Sequence, residues 1–333
     1  MSGSSSAFNI DSPSQHRPSG VWTAHLPAPS VAAAACGVLD GLFPLTPAYD
    51  AWLGNLLKHR PWQPAASDAY DSTRFYPTLQ RLVRDLHGGT SPYAGLEKFS
   101  PSEMKKWTKA YPSQAQVQSH EIVSKVIRTL GSPPRLMLEV GSFIGSGAVH
   151  VWSKLATLTH AQGKDEERLV ICADTWQGAT MMRLGSHPKI FSMKHGFPNI
   201  GEVFLRRMLS EGLEKTIVPL AFPSIGTARL LYLLGYKLDL IYVDSAHELG
   251  ETLVELHMFY QLLRPGGMLM GDDLSWPAVH HDVSSFAACH NLSFSQFGKQ
   301  WFVQKPLTKV STPKDGDNRA DLAPQTSSQS AVG

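Results

Sequence analysis

Cysteine is scarce in this chain: Cys36, Cys172 and Cys289 are the only three among 333 residues. They lie far apart with no CxxC spacing, which argues against a disulfide framework and a cysteine-built zinc site, and for a reducing, cytoplasmic setting. Long apolar runs are missing too. No stretch approaches the roughly 18 residues of a transmembrane helix, and the longest apolar piece, Val31 to Val38, is mostly alanine. Neither sign of charge dominates, since 30 Lys and Arg against 28 Asp and Glu leave +2; neither nucleic acid nor an anionic membrane is an expected partner. Charged residues make up 17% and hydrophobic ones 42%, the composition of a globular chain, which excludes collagen-like and wholly disordered readings.

At roughly 100–200 residues per domain, the length allows one large domain with extensions. Residues 1–30 and 306–333 are rich in Ser, Pro, Ala and Gly without an apolar period, and read as disordered tails. The Ser-rich start has only Arg17 as an arginine, so organelle targeting is the lesser alternative to disorder. Residues 31–112 hold short apolar pieces broken by proline and read as a helical lead-in or lid.

From Ser113 the pattern sharpens. Val117, Ile122, Val126, Ile127 and Leu130 are helix-spaced and stop at Gly131. Strands then alternate with helices: RLMLEV from Arg135, RLVICA from Arg168, Ile217 to Leu220, LDLIYV from Leu238 and MLMG from Met268. Helices are expected to about His160, near Glu202 to Glu211, over Thr227 to Gly235, His247 to Leu263 and Ala278 to His290. RPGG reads as a turn before the fifth strand, and a hairpin around Gly298 and Lys299 closes the domain, which runs from 113 to 305. Repeated strand–helix units imply an α/β fold with a parallel sheet covered on both faces.

In such a sheet ligands lie outside the carboxyl ends of the strands, at the point where strand order reverses. After the first strand stands EVGSFIGSG, Glu139 to Gly147, whose glycines let the backbone pass close to a ligand, or merely make a tight turn. GxGxxG fails from Gly141, where the third position is Phe143, and from Gly145, where the sixth is His150; a nicotinamide cofactor is thereby disfavoured. Asp174 ends the second strand, where an acid accepts ribose hydroxyls or caps a turn, and Trp176 is near enough to wall an adenine. Asp244 follows the fourth strand and Asp272-Asp273 the fifth. Unit charges about 4 Å apart interact by about 4 kcal/mol at an effective dielectric near 20, so these acids call for a divalent cation such as magnesium, unless they act as caps. His247, three residues past Asp244, could take a proton from a metal-acidified hydroxyl, or be an ordinary helix-terminus histidine.

Together these motifs resemble the class I S-adenosylmethionine-dependent methyltransferases, and among them the metal-assisted small-molecule O-methyltransferases. LEVGSFIGSG is similar to the family's first motif, CADTW to its second-strand end, DLIYVDSAHE to its fourth-strand motif and LLRPGGMLMGDDL to the fifth, in the family's order over Ser113 to Gln304. The resemblance implies a Rossmann-like, doubly wound, mainly parallel seven-stranded sheet with a closing antiparallel hairpin. It implies S-adenosylmethionine as cofactor, with Glu139, Gly141, Ser142 and Gly145 at its methionine part, Asp174 at the ribose, and Trp176 and Asp244 bordering it. Asp244, Asp272 and Asp273 would hold magnesium or another divalent cation, and His247 would be the base toward a small-molecule acceptor. The catechol-type enzymes carry Asp-Asn where this chain has Asp272-Asp273, and lysine at the position of His247, which looks more like the macrolide-sugar and antibiotic-tailoring relatives. A homodimer is compatible with this reading, and Gln177 to Phe197, without a counterpart in the motifs, is expected to cover the acceptor pocket.

Overall fold

The computed structural model describes residues 76–110, 114–158, 167–179, 193–245 and 247–307. The expected tails lie outside the described residues except for Pro306 and Leu307. Among the described residues, three helices come first: α1 (Leu79–His87), α2 (Pro101–Ala110) and α3 (Gln114–Leu130). Then follow β1 (Leu136–Val140), α4, which opens as a π-helical turn at Ala148–Trp152 and continues over Ser153–Thr157, and β2 (Leu169–Asp174). A two-stranded hairpin, β3 (Met193–Lys194) and β4 (Phe197–Pro198), leads into α5 (Ile200–Ser210). After it come β5 (Ile217–Ala221), α6 (Ser224–Leu233), β6 (Leu238–Val243), α7 (Glu251–Leu262), β7 (Leu263–Gly271), α8 (Pro277–Cys289), β8 (Ser295–Phe297) and β9 (Gln300–Gln304).

The main sheet has seven strands in the order β5-β2-β1-β6-β7-β9-β8. The first five are parallel, and β9 runs antiparallel to both β7 and β8. Every residue of β1 and β6 is buried, as strands covered on both faces must be, and this is why they read as unbroken apolar runs. Alternation along β1 splits the core. Leu136, Leu138 and Val140 pack with Leu231, Phe259 and Phe286 under α6, α7 and α8. Met137 points the other way, into the cluster of Val126, Trp152, Phe204 and Met208 under α3, α4 and α5. The chain winds from β1 outward to β5, then returns to place β6 on the other side of β1, so strand order reverses between β1 and β6.

Side chains secure the β5 edge of the sheet and the amino end of its central strand, β6. At the β5 edge, the carbonyl oxygen of Ile217 accepts from Tyr93 Oη at 2.8 Å, and that of Pro219 lies 2.8 Å from His87 Nε2. Proline within this strand and the satisfied carbonyls leave little for another strand to pair with. α1 and Tyr93 of the lead-in therefore pack on this edge, whereas Phe99 and Glu103 lean on α5 through Ser210 and Arg206. A cavity of about 520 Å³ between α1 and β5, lined by Leu79, Val83, Tyr93 and Val218, is separated from β6 and its acids by two strands, β2 and β1. At the amino end of β6, buried Asp239 accepts from the amides of Arg135 and Leu136 at 2.7 and 3.0 Å, from Tyr76 Oη at 2.7 Å and from Arg264 Nε.

Three expectations change. α7 begins at Glu251 rather than His247, because Gly250 before it takes a left-handed φ of 87° that a helix interior does not admit. RPGG belongs to β7: Leu263 pairs with Leu238, and after an irregularity Met268 pairs with Leu240, so the Pro-Gly-Gly sequence makes a bulge inside a strand. Cys172 is a buried free thiol, whereas Cys289 is disulfide-bonded; distance along the chain says nothing about proximity in space. Among the described residues no helix is long and apolar enough to cross a membrane.

Candidate active site

The turn after β1 is built on glycines at positions where an added side chain would press on its neighbours. Gly141 has φ 88° and donates to the carbonyl of Ala173 at 2.9 Å, while a Cβ placed on it would strike the backbone carbonyl of Asp244. The β1 turn and the end of β6 thus touch at the point of strand reversal. Gly145, at φ 81°, faces Phe204 and Met208 of α5. A Cβ on Gly147 would fall on the carboxylate of Glu139 and near the indole nitrogen of Trp152.

Glu139 is buried, and its Oε1 accepts from Trp152 Nε1 at 2.6 Å. Burial pushes its carboxyl up to about 7, against the pull of that indole N–H. Ser142, also buried, brings its hydroxyl close to Glu139, short of hydrogen-bond geometry with any described residue. Asp174 spends both oxygens on backbone: Oδ2 accepts from Phe143 N–H at 2.7 Å and Oδ1 from Trp176 N–H at 2.6 Å. Each oxygen keeps a second lone pair. Trp176 is only 6% exposed and stacks at a tilt on Phe204, 5.0 Å between ring centres, so its ring belongs to the core more than to an open wall.

Across the crevice, Asp244, His247 and Asp273 bring one carboxylate oxygen, one ring nitrogen and one carboxylate oxygen within 4.8 Å of one another. His247 Nε2 lies 3.0 Å from Asp273 Oδ2 and 3.7 Å from Asp244 Oδ1. Asp273 sits at a left-handed φ of 56°, which swings its carboxylate toward His247. Asp272, expected as the third acid of the cluster, stands outside this trio and accepts from Asp273 N–H at 2.8 Å through Oδ1. The tilted ring of Trp276 lies 5.1 Å from that of His247, and Trp276 is 44% exposed.

The electrostatics follow from crowding. Asp244 leaves 37% of its side-chain surface open to the crevice, yet it sits deep in the protein. Its carboxyl is raised by burial and by Asp272, with His247 acting in the opposite sense. Burial also raises Asp272. The hydrogen bond between His247 and Asp273 raises the imidazole and lowers the carboxyl.

Two buried charged residues behind this frame escaped the sequence reading. Arg207 of α5 donates to the carbonyl oxygen of Ile144 at 3.0 Å and Ser146 Oγ at 3.3 Å, supporting the glycine turn from below. Asp282 of α8 is fully buried. Both stand on otherwise apolar helical stripes, Ile200-Val203-Phe204-Arg207 and Val279-Asp282-Val283-Phe286, and a charged residue in such a stripe was the available signal.

Strand order, a glycine turn at the reversal point and acids on the neighbouring strand ends define a Rossmann-like, doubly wound α/β fold. Residues 138–274 match a family model described as a methyltransferase domain. No curated protein matches the chain. Among solved structures, the calicheamicin methyltransferase CalS11 is 16% identical over 72% of this chain and 99% of its own, with a TM-score of 0.42. The O-methyltransferase TomG from Streptomyces achromogenes, involved in tomaymycin synthesis and bound to S-adenosylmethionine, is 13% identical over 64% of this chain and 93% of its own, with a TM-score of 0.42. A putative caffeoyl-CoA O-methyltransferase from Staphylococcus aureus is 10% identical over 62% and 92%, with a TM-score of 0.40.

Proposed function

We propose that this domain methylates a hydroxyl oxygen of a small molecule with the help of a divalent cation held by Asp244, His247 and Asp273. The observation that carries the reading is the convergence of these three side chains, from the ends of two adjacent strands, on a space 4.8 Å across beside the β1 glycine turn. The donor set fits such an ion: two carboxylates suit magnesium or manganese, and one imidazole is compatible with either. Once bound, the cation would acidify the acceptor hydroxyl, while the cofactor provides the methyl group.

The chain's own residues then have the task of alignment. Gly141 and Gly145 let the backbone approach the methionine end of the cofactor, Glu139 and the Ser142 hydroxyl face its polar groups, and the remaining lone pairs of Asp174 take the ribose. Trp176 holds the turn in shape rather than stacking openly on adenine. His247 has two candidate roles, as ion ligand and as base toward the acceptor hydroxyl. We place the domain at residues 113–305, with α1 and Tyr93 of the lead-in closing the β5 edge. Calorimetric titration with S-adenosylmethionine, with and without magnesium and with NAD as the competitor, tests the reading. S-adenosylmethionine should bind and NAD should not; tighter binding of NAD overturns it.

A further inference from the structure

We propose that Asp282 is a positioning residue for the cation site, an inference that rests on the metal reading above. α7 begins without a side-chain cap from its own N-cap residue, which is Gly250. Its exposed amides are taken from another helix. Asp282 Oδ2, on α8, accepts from the N–H of Gly250 at 2.8 Å and from that of Leu253 at 3.2 Å. These are the N-cap and N3 amides, the two that a capping box satisfies with two separate local side chains. Here one buried carboxylate supplies both bonds in trans, and its charge faces the positive end of the α7 dipole.

The consequence lies in what the two helices carry. The segment from Asp244 to Gly250 is fixed at one end, where Asp244 N–H donates to the carbonyl of Val140 at 2.9 Å. Its other end is the capped start of α7. Asp244 and His247 lie between these two anchors. α8 follows directly on the turn that bears Asp273 and Trp276, and its first turn is tied to that loop by the bond from His280 N–H to the carbonyl of Trp276 at 2.9 Å. Asp282 therefore ties the β6 half of the site to the β7 half. The 3.0 Å approach of His247 to Asp273 depends on the relative placement of α7 and α8, and the buried carboxylate fixes that placement.

The test measures binding of Mn2+ alone, by the loss of its free electron-paramagnetic signal, in wild type, Asp282→Ala and Asp282→Asn. Calorimetric binding of S-adenosylhomocysteine serves as the control. Partners outside the first coordination shell typically change metal affinity about 10–100-fold. Asp282→Ala should weaken Mn2+ about tenfold and change the control less than about twofold. Asp282→Asn, which keeps an acceptor oxygen at the same point, should restore affinity to within about threefold of wild type. Hydrogen exchange at residues 250–253 should quicken in the alanine variant and not in the asparagine one. If the alanine variant does not melt cooperatively, Asp282→Ser, with a shorter acceptor, is read in its place. A folded alanine or serine variant with wild-type Mn2+ affinity reduces Asp282 to a structural cap and overturns the proposal alone. Wild-type protein that binds no Mn2+ overturns the metal reading and this inference together.

Discussion

The indole N–H of Trp176 donates to the carbonyl oxygen of Phe143 at 2.8 Å, and both residues hold left-handed backbone, at φ 50° and 46°. Neither conformation is comfortable for an aromatic residue, and each costs on the order of 1–3 kcal/mol. Asp174 offsets that cost by accepting one amide from each. The acid that ends β2 thus locks the turns after β1 and β2 to one another.

It follows that Asp174→Ala should act on stability as well as on the cofactor. Charge-assisted hydrogen bonds contribute about 1.5–3 kcal/mol each, and two would be lost along with the restraint on two strained residues. Urea unfolding without ligand should show the drop, and calorimetry a weakened S-adenosylmethionine interaction. Unchanged unfolding with weakened binding would assign Asp174 to the ribose alone.

Gly141→Ala should be more damaging than Gly145→Ala, although both positions have positive φ. At Gly141 the added methyl meets the backbone carbonyl of Asp244, which cannot move without displacing the end of β6. At Gly145 it meets the end of the flexible Met208 side chain and the ring edge of Phe204. Thermal melting and cofactor affinity should both rank the variants this way; the reverse ranking would mean that the β1 turn can shift away from β6 at little cost.

Much of this frame was legible in the sequence because buried parallel strands leave unbroken apolar runs, and the turn after each strand stands where ligands bind. Which of Asp272 and Asp273 faces the site was not. Neighbouring residues at a strand end point to opposite sides, and only the left-handed φ of Asp273 turns its carboxylate toward His247. The start of α7 was hidden for a different reason: its cap comes from Asp282, 32 positions from Gly250, and local capping signals cannot report it.

Glu139 should make the ligand-free protein less stable as pH rises. Its carboxyl stands at about 7 in the folded state against an ordinary 4.5, so between these values the folded state binds the extra proton. The stabilisation tied to that proton is full below about 4.5 and is lost as pH rises through 7, on the order of 3 kcal/mol in all. Glu139→Gln cannot ionise yet keeps an acceptor for Trp152. The stability difference between wild type and this variant, from urea unfolding at pH 5 and pH 8, should move against wild type by about 2–3 kcal/mol on going to the higher pH. A constant difference would place the carboxyl near its ordinary range.

The two adjacent acids of β7 should separate under mutation. Asp273 is within the trio that includes Asp244 and His247, whereas Asp272 bonds the Asp273 amide and stands behind it. Asp273→Ala should therefore reduce Mn2+ affinity more than Asp272→Ala, whose effect should stay within the roughly 10–100-fold of an outer partner. His247→Ala decides between that residue's two roles. Loss of Mn2+ binding comparable to that of Asp273→Ala makes it a ligand. Near-normal Mn2+ binding, with turnover of a methylated acceptor down about 10²–10⁴-fold, makes it the base. Equal effects of Asp272→Ala and Asp273→Ala on Mn2+ would mean that the ion draws Asp272 into its shell, with the Asp273 amide released to the solvent of the crevice. Turnover that no chelator touches would leave all four side chains as electrostatic framing, and the reaction would rest on alignment of cofactor and acceptor alone.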